Sequence, residues 1–260
     1  MKTTRNGLGL AIAALAVFVV ISHSAAQADE FCVKNSIYVE GQTEPVSTST
    51  TLFHEGNVYD FLGNMPEAVI YRPASQKFVL LDLRRGVRVE LPLSTVTDFV
   101  EELRKKAMAS SDPQIQFLAD PKFGEAWDPI RCRLRLASAT YSYEAGATIR
   151  TDKVTTREYI TFADADAKLN TILQGGARPP FPRLALNAAL LRRNATPNEI
   201  NLTMRPKIAA PPTKLTSRHK WTMELTEEDL KRIRNAEYFA TKFKAVDFAD
   251  YQRSMQEPTR

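Results

Sequence analysis

Val58-Tyr-Asp-Phe-Leu62, Ala68-Val-Ile-Tyr-Arg-Pro73, Lys77-Phe-Val-Leu-Leu-Asp-Leu83 and Val87-Arg-Val-Glu-Leu-Pro92 follow one another closely in this chain. Each run is short and rich in β-branched or aromatic residues, which is typical of a β-strand. The turns between them are too short for a parallel crossover, so we expect neighbouring strands to pair antiparallel in a meander. The run from Phe78 to Leu81 is apolar on both faces, which predicts a central strand covered from both sides.

A charged amphipathic helix is predicted directly after these strands, from residue 94 to residue 108. Its apolar residues recur at i, i+3 and i+4, and either Ser94 or Thr95 can cap its first turn. Two strands are predicted before the quoted stretch. They are Phe31 to Glu40 and Ser47 to His54, and the second is polar enough for an edge or surface strand.

The chain beyond this helix alternates strands and helices. The predicted elements are a helical turn at 114–119, strands at 130–136, 140–145, 154–162, 199–204 and 214–225, and helices at 163–174, at 182–193 and from Thr226 onward. In the first of these strands an apolar row alternates with a basic one: Ile130, Cys132, Leu134 and Leu136 against Arg131, Arg133 and Arg135. We interpret the arginine row as a solvated sheet face, with an anionic ligand or a membrane surface as the alternative.

Together these elements predict an α+β fold. We expect a curved antiparallel sheet, a meander shaped like a half-barrel, with helices packed on one face. The predicted organisation is a signal peptide at 1–28, a core domain of sheet and helix at 29–175, and an extension at 176–260. We expect this extension of helices and strands to pack on the same domain and to fray at its C-terminus.

The N-terminus has the features of a secretory signal peptide. Lys2 and Arg5 precede an apolar run of about 14 residues, which is short for a membrane span, and Ala26-Gln-Ala28 is a suitable cleavage site. We therefore expect an exported protein, periplasmic or secreted, and the alternative is an uncleaved anchor. No later apolar run is long enough to cross a membrane, so we expect the mature protein to be soluble and without a transmembrane segment.

The charge balance argues against nucleic acid as a partner. The chain has 35 Lys and Arg against 30 Asp and Glu. Without the two signal-peptide cations the excess is 33 − 30, or +3, and these cations are spread along the chain.

The two cysteines, Cys32 and Cys132, both lie outside the predicted signal peptide. In an exported chain we expect them to form a disulfide. The alternative is two separate buried thiols.

Motifs that carry known chemistry are missing from the sequence. It contains no His-Glu-x-x-His, no Gly-x-Ser-x-Gly, no phosphate loop and no dinucleotide fingerprint. The predicted mature chain has two histidines, His54 and His219, so we expect no metal, no cofactor and no enzymatic activity. Asp164 and Asp166 stand i, i+2 at a predicted helix start, so we interpret them as charges that favour the helix dipole.

The candidate ligand site is a set of apolar side chains on the meander. Its members are Tyr59, Phe61, Tyr71, Phe78 and Leu80. They can line the concave face of a curved sheet, and such a face holds an apolar ligand when helices half close it. The alternative is an ordinary core packed by the helix at 94–108.

The run Val69-Ile-Tyr-Arg-Pro-Ala-Ser-Gln-Lys-Phe-Val-Leu-Leu-Asp82, followed by a turn, a charged strand and a helix, resembles periplasmic lipoprotein carriers of the LolA/LolB type. The resemblance covers roughly residues 31–165. It implies sequential antiparallel strands curled into a half-barrel that helices close around an apolar ligand. That family holds its cargo with a cavity arginine, and no arginine here can be matched to it. The whole chain, including Pro179-Pro-Phe-Pro-Arg-Leu-Ala-Leu-Asn187, is also similar to exported planctomycete proteins, a likeness that implies no activity.

Three functions follow as expectations. The first is an exported protein that binds an apolar or lipid-like ligand in the concave face of its sheet. The second is a structural or protein-interaction module of the cell envelope with a filled core and no ligand. The third is a hydrolase, which requires a cleft that joins His54 or His219 to a nucleophile and a carboxylate.

Overall fold

The computed structural model describes residues 30–63, 65–174, 179–206 and 211–256. The predicted signal peptide and the last four residues lie outside the described residues. The strands are β1 Phe31–Val39, β2 Ser47–His54, β3 Asn57–Leu62, β4 Glu67–Arg72, β5 Lys77–Asp82, β6 Val87–Pro92, β7 Gly124–Asp128, β8 Arg133–Ala137, β9 Tyr141–Ile149, β10 Ala195–Met204, β11 Thr213–Thr222 and β12 Lys244–Ala245. The α-helices are α1 Leu93–Met108, α2 Pro113–Ala119, α3 Val154–Leu173, α4 Phe181–Leu191, α5 Glu227–Lys242 and α6 Phe248–Gln256.

The described residues form one curved, open sheet of twelve strands, in the order β12-β6-β5-β4-β3-β2-β1-β11-β10-β9-β8-β7. Every pair is antiparallel except β12 with β6. The predicted meander β1–β6 is confirmed, and so is the α+β class. A second meander, β7–β9, joins the first through β10 and β11, which lie in the middle of the sheet. The described chain from residue 179 onward therefore supplies the two strands that connect the two meanders.

The two faces of the sheet bury different sets of side chains. The inner face carries Phe31, Phe78 and Leu80, and α1, α3, α4 and α6 pack over it. The outer face carries Leu52, Ile70 and Leu81, and α5 packs over it through Ile233 and Ala236. Helices therefore cover both faces of the sheet, and the expectation of helices packed on one face is not confirmed. Phe78 to Leu81 is buried on both sides, as predicted.

The strand predicted at 154–162 is wrong, because these residues form the first half of α3. Buried residues recur along it at helical spacing: Thr155, Thr156, Tyr159, Ile160, Phe162, Ala165 and Leu169. The β-branched residues between Val154 and Ile160 suggested a strand, but the apolar face continues without a break into 163–173. The backbone N–H of Thr155 donates to Asp152 Oδ1 at 2.7 Å, and this capping signal marks the true start.

The strand predicted at 130–136 begins later, at Arg133. Asp128 Oδ1 accepts from the backbone N–H groups of Ile130 and Arg131, each at 3.0 Å, so the chain turns at Pro129. Ile130 is 92% exposed and Cys132 has a positive φ of 48°. Leu134 and Leu136 face the core as predicted, and β7, the partner of β8, was not predicted.

β2 has the predicted bounds but lies between β1 and β3, so it is not an edge strand. Near the C-terminus, Tyr251 of α6 is buried against the inner-face core.

Cys32 and Cys132 are both free thiols, so the predicted disulfide is wrong. Cys32 is buried on the outer face of β1, whereas Cys132 lies in the turn before β8. Four strand spacings separate β1 from β8. That amounts to roughly 19 Å, far beyond the roughly 7 Å that a disulfide can bridge between Cα atoms.

The start of α5 carries a capping box. Thr226 Oγ1 accepts from the backbone N–H of Asp229 at 3.2 Å, and Asp229 Oδ2 accepts from the backbone N–H of Thr226 at 3.0 Å. The predicted cap of α1 is absent, because that helix begins at Leu93 with no side-chain cap.

We expect Thr226→Ala to lower the free energy of unfolding by about 1 kcal/mol, because it leaves a backbone donor without its acceptor. Thr95→Ala is the matched control and should change it by less than about 0.5 kcal/mol, since Thr95 does not cap α1. Urea denaturation of the two variants measures both values. Equal effects would show that the capping box does not stabilise α5.

Candidate functional site

The five predicted ligand residues divide between the two faces of the sheet. Tyr71, Phe78 and Leu80 lie on the inner face, whereas Tyr59 and Phe61 lie on the outer face. The Tyr59 hydroxyl donates to Glu237 Oε1 at 2.7 Å, and the Arg232 guanidinium lies 4.2 Å from the Phe61 ring centre. These outer residues therefore anchor α5, and the five do not share one groove.

The inner three are packed as core. The Tyr71 and Phe78 rings lie 4.8 Å apart, centre to centre, and Phe162 of α3 contacts the Tyr71 ring at 6.2 Å. All three inner side chains are buried. This part of the inner face is filled by its own side chains.

A polar cavity of about 270 Å³ lies elsewhere on the inner face, between the centre of the sheet and the helices α3 and α4. The sheet contributes Asn35, Ser49, Thr51, Ser217 and His219, and the helices contribute Tyr159, Asp166, Asn170 and Arg183. Three strands, β2, β1 and β11, meet here because β11 pairs with β1. We call this the polar cavity.

A chain of hydrogen bonds crosses β1, β2 and β3 at the cavity floor. Asn35 Nδ2 donates to Ser49 Oγ at 3.2 Å and to Thr51 Oγ1 at 3.4 Å. The Thr51 hydroxyl in turn donates to Asp60 Oδ1 at 2.6 Å. Asp60 is buried behind Thr51, whereas Asn35 Oδ1 has no partner among the described residues. The floor therefore holds a buried carboxyl group and an unused acceptor.

The helices supply a second carboxyl group and a guanidinium. Asp166 Oδ2 accepts from Asn170 Nδ2 at 3.0 Å. Arg183 Nε donates to Asn187 Oδ1 at 3.1 Å, and Asn187 Nδ2 donates to Asp164 Oδ1 at 2.7 Å. Both aspartates lie in the middle of α3, so their interpretation as N-terminal dipole charges is wrong.

Burial dominates the ionisation of the two cavity carboxyl groups. It raises the pKa of Asp60 to about 6, against the lowering effect of the Thr51 and Ser49 hydroxyls. Burial, with the nearby Asp60 as the second cause, raises the pKa of Asp166 to about 7. Near pH 7 the carboxyl groups of Asp60 and Asp166 therefore begin to bind a proton that the two groups share.

His219 completes the cavity wall on β11. Its side chain is buried, and its Nδ1 atom has no hydrogen-bond partner among the described residues. Burial and the charge of Arg183 lower its pKa to about 3. The ring is therefore neutral at physiological pH, and backbone groups of Asn198 and Ser217 interact with it. Because Nδ1 is unpartnered, we assign the ring proton to Nε2 and treat Nδ1 as an acceptor.

An open apolar cleft of about 370 Å³ adjoins the polar cavity and shares Ala167, Asn170 and Arg183 with it. Its apolar lining comes from β9, β10 and β11 and from the start of α4: Tyr143, Pro180, Pro182, Leu202, Met204 and Leu215. We call this the apolar cleft. A third cleft of about 270 Å³ shares Tyr141 and Met204 with it and continues toward α2. The three spaces thus follow one side of the inner face from β2 to β9.

The polar cavity meets the formal requirement for a hydrolase, since it joins His219 to the hydroxyl groups of Ser49 and Ser217 and to Asp166. A base must be basic enough to accept the nucleophile's proton. A buried imidazole with a pKa near 3 is a weak base, so the arrangement favours binding over proton transfer. In the described ranges no three or more His, Cys, Asp or Glu side chains are grouped as a metal site would require.

The sequence contained one usable signal for this cavity. The alternation of side chains along this strand places Asp60 on the same face as Val58 and on the face opposite to Tyr59. In the structure the face of Val58 is the inner one. A polar residue at an inward position of a strand indicates a buried polar site. The contribution of Asp166, Arg183 and His219 could not be seen, because α3, α4 and β11 come together with β3 only in the folded chain.

A comparison with models of known protein families finds no match for this chain. A comparison with curated protein sequences finds no significant match either.

Proposed function

We propose that this protein is an exported binding protein for a lipid-like ligand, which lies between the inner face of the sheet and helices α3 and α4. The observation that carries the proposal is the apolar cleft, which opens from the polar cavity and is lined mainly by apolar side chains of β9–β11 and α4. An apolar space with a few convergent polar groups is the usual form of a small-molecule site.

The shape of the space supports an amphipathic ligand. The apolar cleft and the polar cavity have Ala167, Asn170 and Arg183 in common, so a single elongated molecule can occupy both. The combined length of the site runs across five strands, β9 to β2 in sheet order, and so across four strand spacings. At about 4.8 Å between neighbouring strands this is roughly 19 Å, the scale of a lipid tail.

The resemblance to LolA/LolB-type carriers supports the same class of ligand. In this proposal the ligand lies beside α3 and α4, and the Tyr71–Phe78 region remains a filled core. None of the helices in the described part of the chain has the length and apolar content needed to cross a bilayer. The proposed export rests on the signal-peptide pattern at residues 1–28.

Filling the space where the apolar cleft meets the polar cavity tests the proposal. Ala167 lines both spaces, so we expect Ala167→Trp to exclude the ligand by its bulk. Thr161→Trp is the matched control, because Thr161 is exposed on the same helix. Native mass spectrometry of gently purified protein should show bound lipid in the wild type and in Thr161→Trp, with at least a tenfold loss in Ala167→Trp.

Wild-type protein that carries no lipid and binds none from added vesicles would overturn the proposal. In that case the envelope module without a ligand becomes the better interpretation. Circular dichroism shows whether the two tryptophan variants are folded. If Ala167→Trp does not fold, Leu215→Trp, at the sheet side of the apolar cleft, replaces it.

A further inference from the structure

We propose that the polar cavity holds the headgroup of the ligand and selects a primary ammonium group. This inference rests on the proposed function and assigns the chemistry of one end of the ligand. The cavity is a built site rather than a surface cluster, because three strands and two helices line it and the His219 side chain is nine-tenths buried there.

The buried side-chain atoms that line the cavity and lack a hydrogen-bond partner are acceptors. Asn35 Oδ1 and His219 Nδ1 are both buried without a partner among the described residues. Such groups carry a desolvation cost unless a ligand or water satisfies them. The Asn35 amide donors are already used on Ser49 and Thr51. A group with several donors and no acceptor complements this wall, and a primary ammonium has three donors.

The charges around the cavity also favour a cation. Three carboxyl groups lie at or next to it, Asp60, Asp164 and Asp166, against two cations, Arg183 and Lys168. Arg183 is held toward Asp164 through Asn187, on the α4 side. Arg183 still lines the cavity, and its charge lowers the pKa of Asp166. The two carboxyl groups of Asp60 and Asp166 therefore form an acidic pair that outnumbers this one lining cation.

The remaining titratable groups that face this pair do not alter the balance. Tyr159 of α3 and His219 of β11 are neutral at pH 7, because burial raises the pKa of the first and lowers that of the second. Arg232 of α5 acts on Asp60 only from the outer side of the sheet and is the weakest of the causes that set its pKa. An ammonium group can thus replace the proton that the acidic pair otherwise holds.

Three amphiphiles with chains of ten carbons, counting the carboxyl carbon of decanoate, separate this inference from the proposed function: decylamine, decyltrimethylammonium and decanoate. Isothermal titration at pH 8, below their micellar concentrations, measures the affinity of the full chain without its signal peptide for each. We expect decylamine to bind at least tenfold tighter than the other two. The quaternary cation has no donor for Asn35 and His219, and the carboxylate opposes Asp60 and Asp166.

Asp166→Asn tests the acidic pair directly, because it removes the charge and keeps an oxygen for the Asn170 amide. We expect it to abolish the preference for decylamine, whereas Asp98→Asn, at an exposed site on α1, should keep it. For the wild type, affinity for decylamine should fall at least tenfold between pH 8 and pH 5.5, as protons compete for the pair.

The outcomes are distinct. Equal affinity for all three amphiphiles, or tightest binding of decanoate, overturns the ammonium inference and leaves the proposed lipid-like ligand in place. Binding of none of the three overturns the ammonium inference, and the lipid measurement by native mass spectrometry then decides the proposed function by itself.

Discussion

Replacing Phe78 by alanine is expected to lower the free energy of unfolding by about 3–5 kcal/mol, because it opens a cavity in a fully packed part of the core. The Phe78 side chain has no exposed surface and its ring lies 4.8 Å from that of Tyr71 on the neighbouring strand. A loss of this size is a large part of the 5–15 kcal/mol by which a typical domain is stable. Urea denaturation monitored by circular dichroism measures it.

Phe61→Ala is the matched control for this substitution. Phe61 lies in the same sheet but on the outer face, partly exposed, under the Arg232 guanidinium. We expect a loss of about 1 kcal/mol, which corresponds to one cation–π contact and partial burial. A similar large loss for both variants would mean that α5 covers the outer face as tightly as the inner helices cover theirs.

The same variants decide whether the predicted aromatic set is a groove or a core. Phe78 does not line the polar cavity or either cleft. We therefore expect Phe78→Ala to bind decylamine like the wild type under conditions where both are folded. A tenfold change in affinity would return the ligand to the Tyr71–Phe78 region.

Local patterns were sufficient for the meander. The bounds of β2–β6 follow from apolar runs separated by turn residues, and α1 follows from one amphipathic stripe. The start of α5 at Thr226 was likewise predicted from the sequence, and Thr226 is its N-cap. These features depend on neighbours within a few residues, which is the range over which sequence patterns are informative.

The errors arose where two patterns compete. The β-branched residues at 154–161 favour a strand locally, and only the continuous buried face of α3 overrides them. At Pro129 the alternation of apolar and basic residues continues through a turn that Asp128 stabilises. In both places a single aspartate that accepts backbone hydrogen bonds, Asp152 or Asp128, indicates the boundary of the element better than the pattern of neighbouring side chains does.

The candidate site depends on contacts that no local pattern contains. β1 pairs with β11, so Asn35 lies opposite His219 although 184 residues separate them in the chain. This pairing, with the packing of α3 across it, brings Asp166 close enough to Asp60 to affect its pKa. Sequence reasoning could place Asp60 on an inward face, but it could not say which groups would meet it there.

The second large expected effect is a pH-dependent gain in stability on replacing Asp166 by asparagine. In the unfolded chain an aspartate ionises near pH 3.8, whereas in the folded chain the pKa of Asp166 is about 7. Between these values the folded state binds the proton that the unfolded state has released. Ionised Asp166 therefore destabilises the fold, fully above pH 7 and progressively less as the pH falls toward 4.

We expect Asp166→Asn to be more stable than the wild type at pH 8 by about 2–4 kcal/mol, from roughly 1.4 kcal/mol per pKa unit with a discount for the partial exposure of the side chain. The advantage should shrink steadily as the pH is lowered and be mostly lost at pH 5. Asparagine cannot ionise, and its side-chain oxygen can still accept from the Asn170 amide.

The wild type and Asp166→Asn must be compared at each pH, because the titration of His219 lowers the stability of both proteins as the pH falls. Folding lowers the pKa of His219 from 6.5 to about 3. On acidification the unfolded state therefore binds a proton near pH 6.5 that the folded state does not bind. The free energy of unfolding falls as a result. This contribution is common to wild type and variant and cancels in their difference. Urea denaturation at half-unit steps from pH 5 to pH 8 therefore isolates the carboxyl group. A difference that stays constant across this range would place the Asp166 carboxyl group in a solvated environment, outside the acidic pair on which ammonium selection depends.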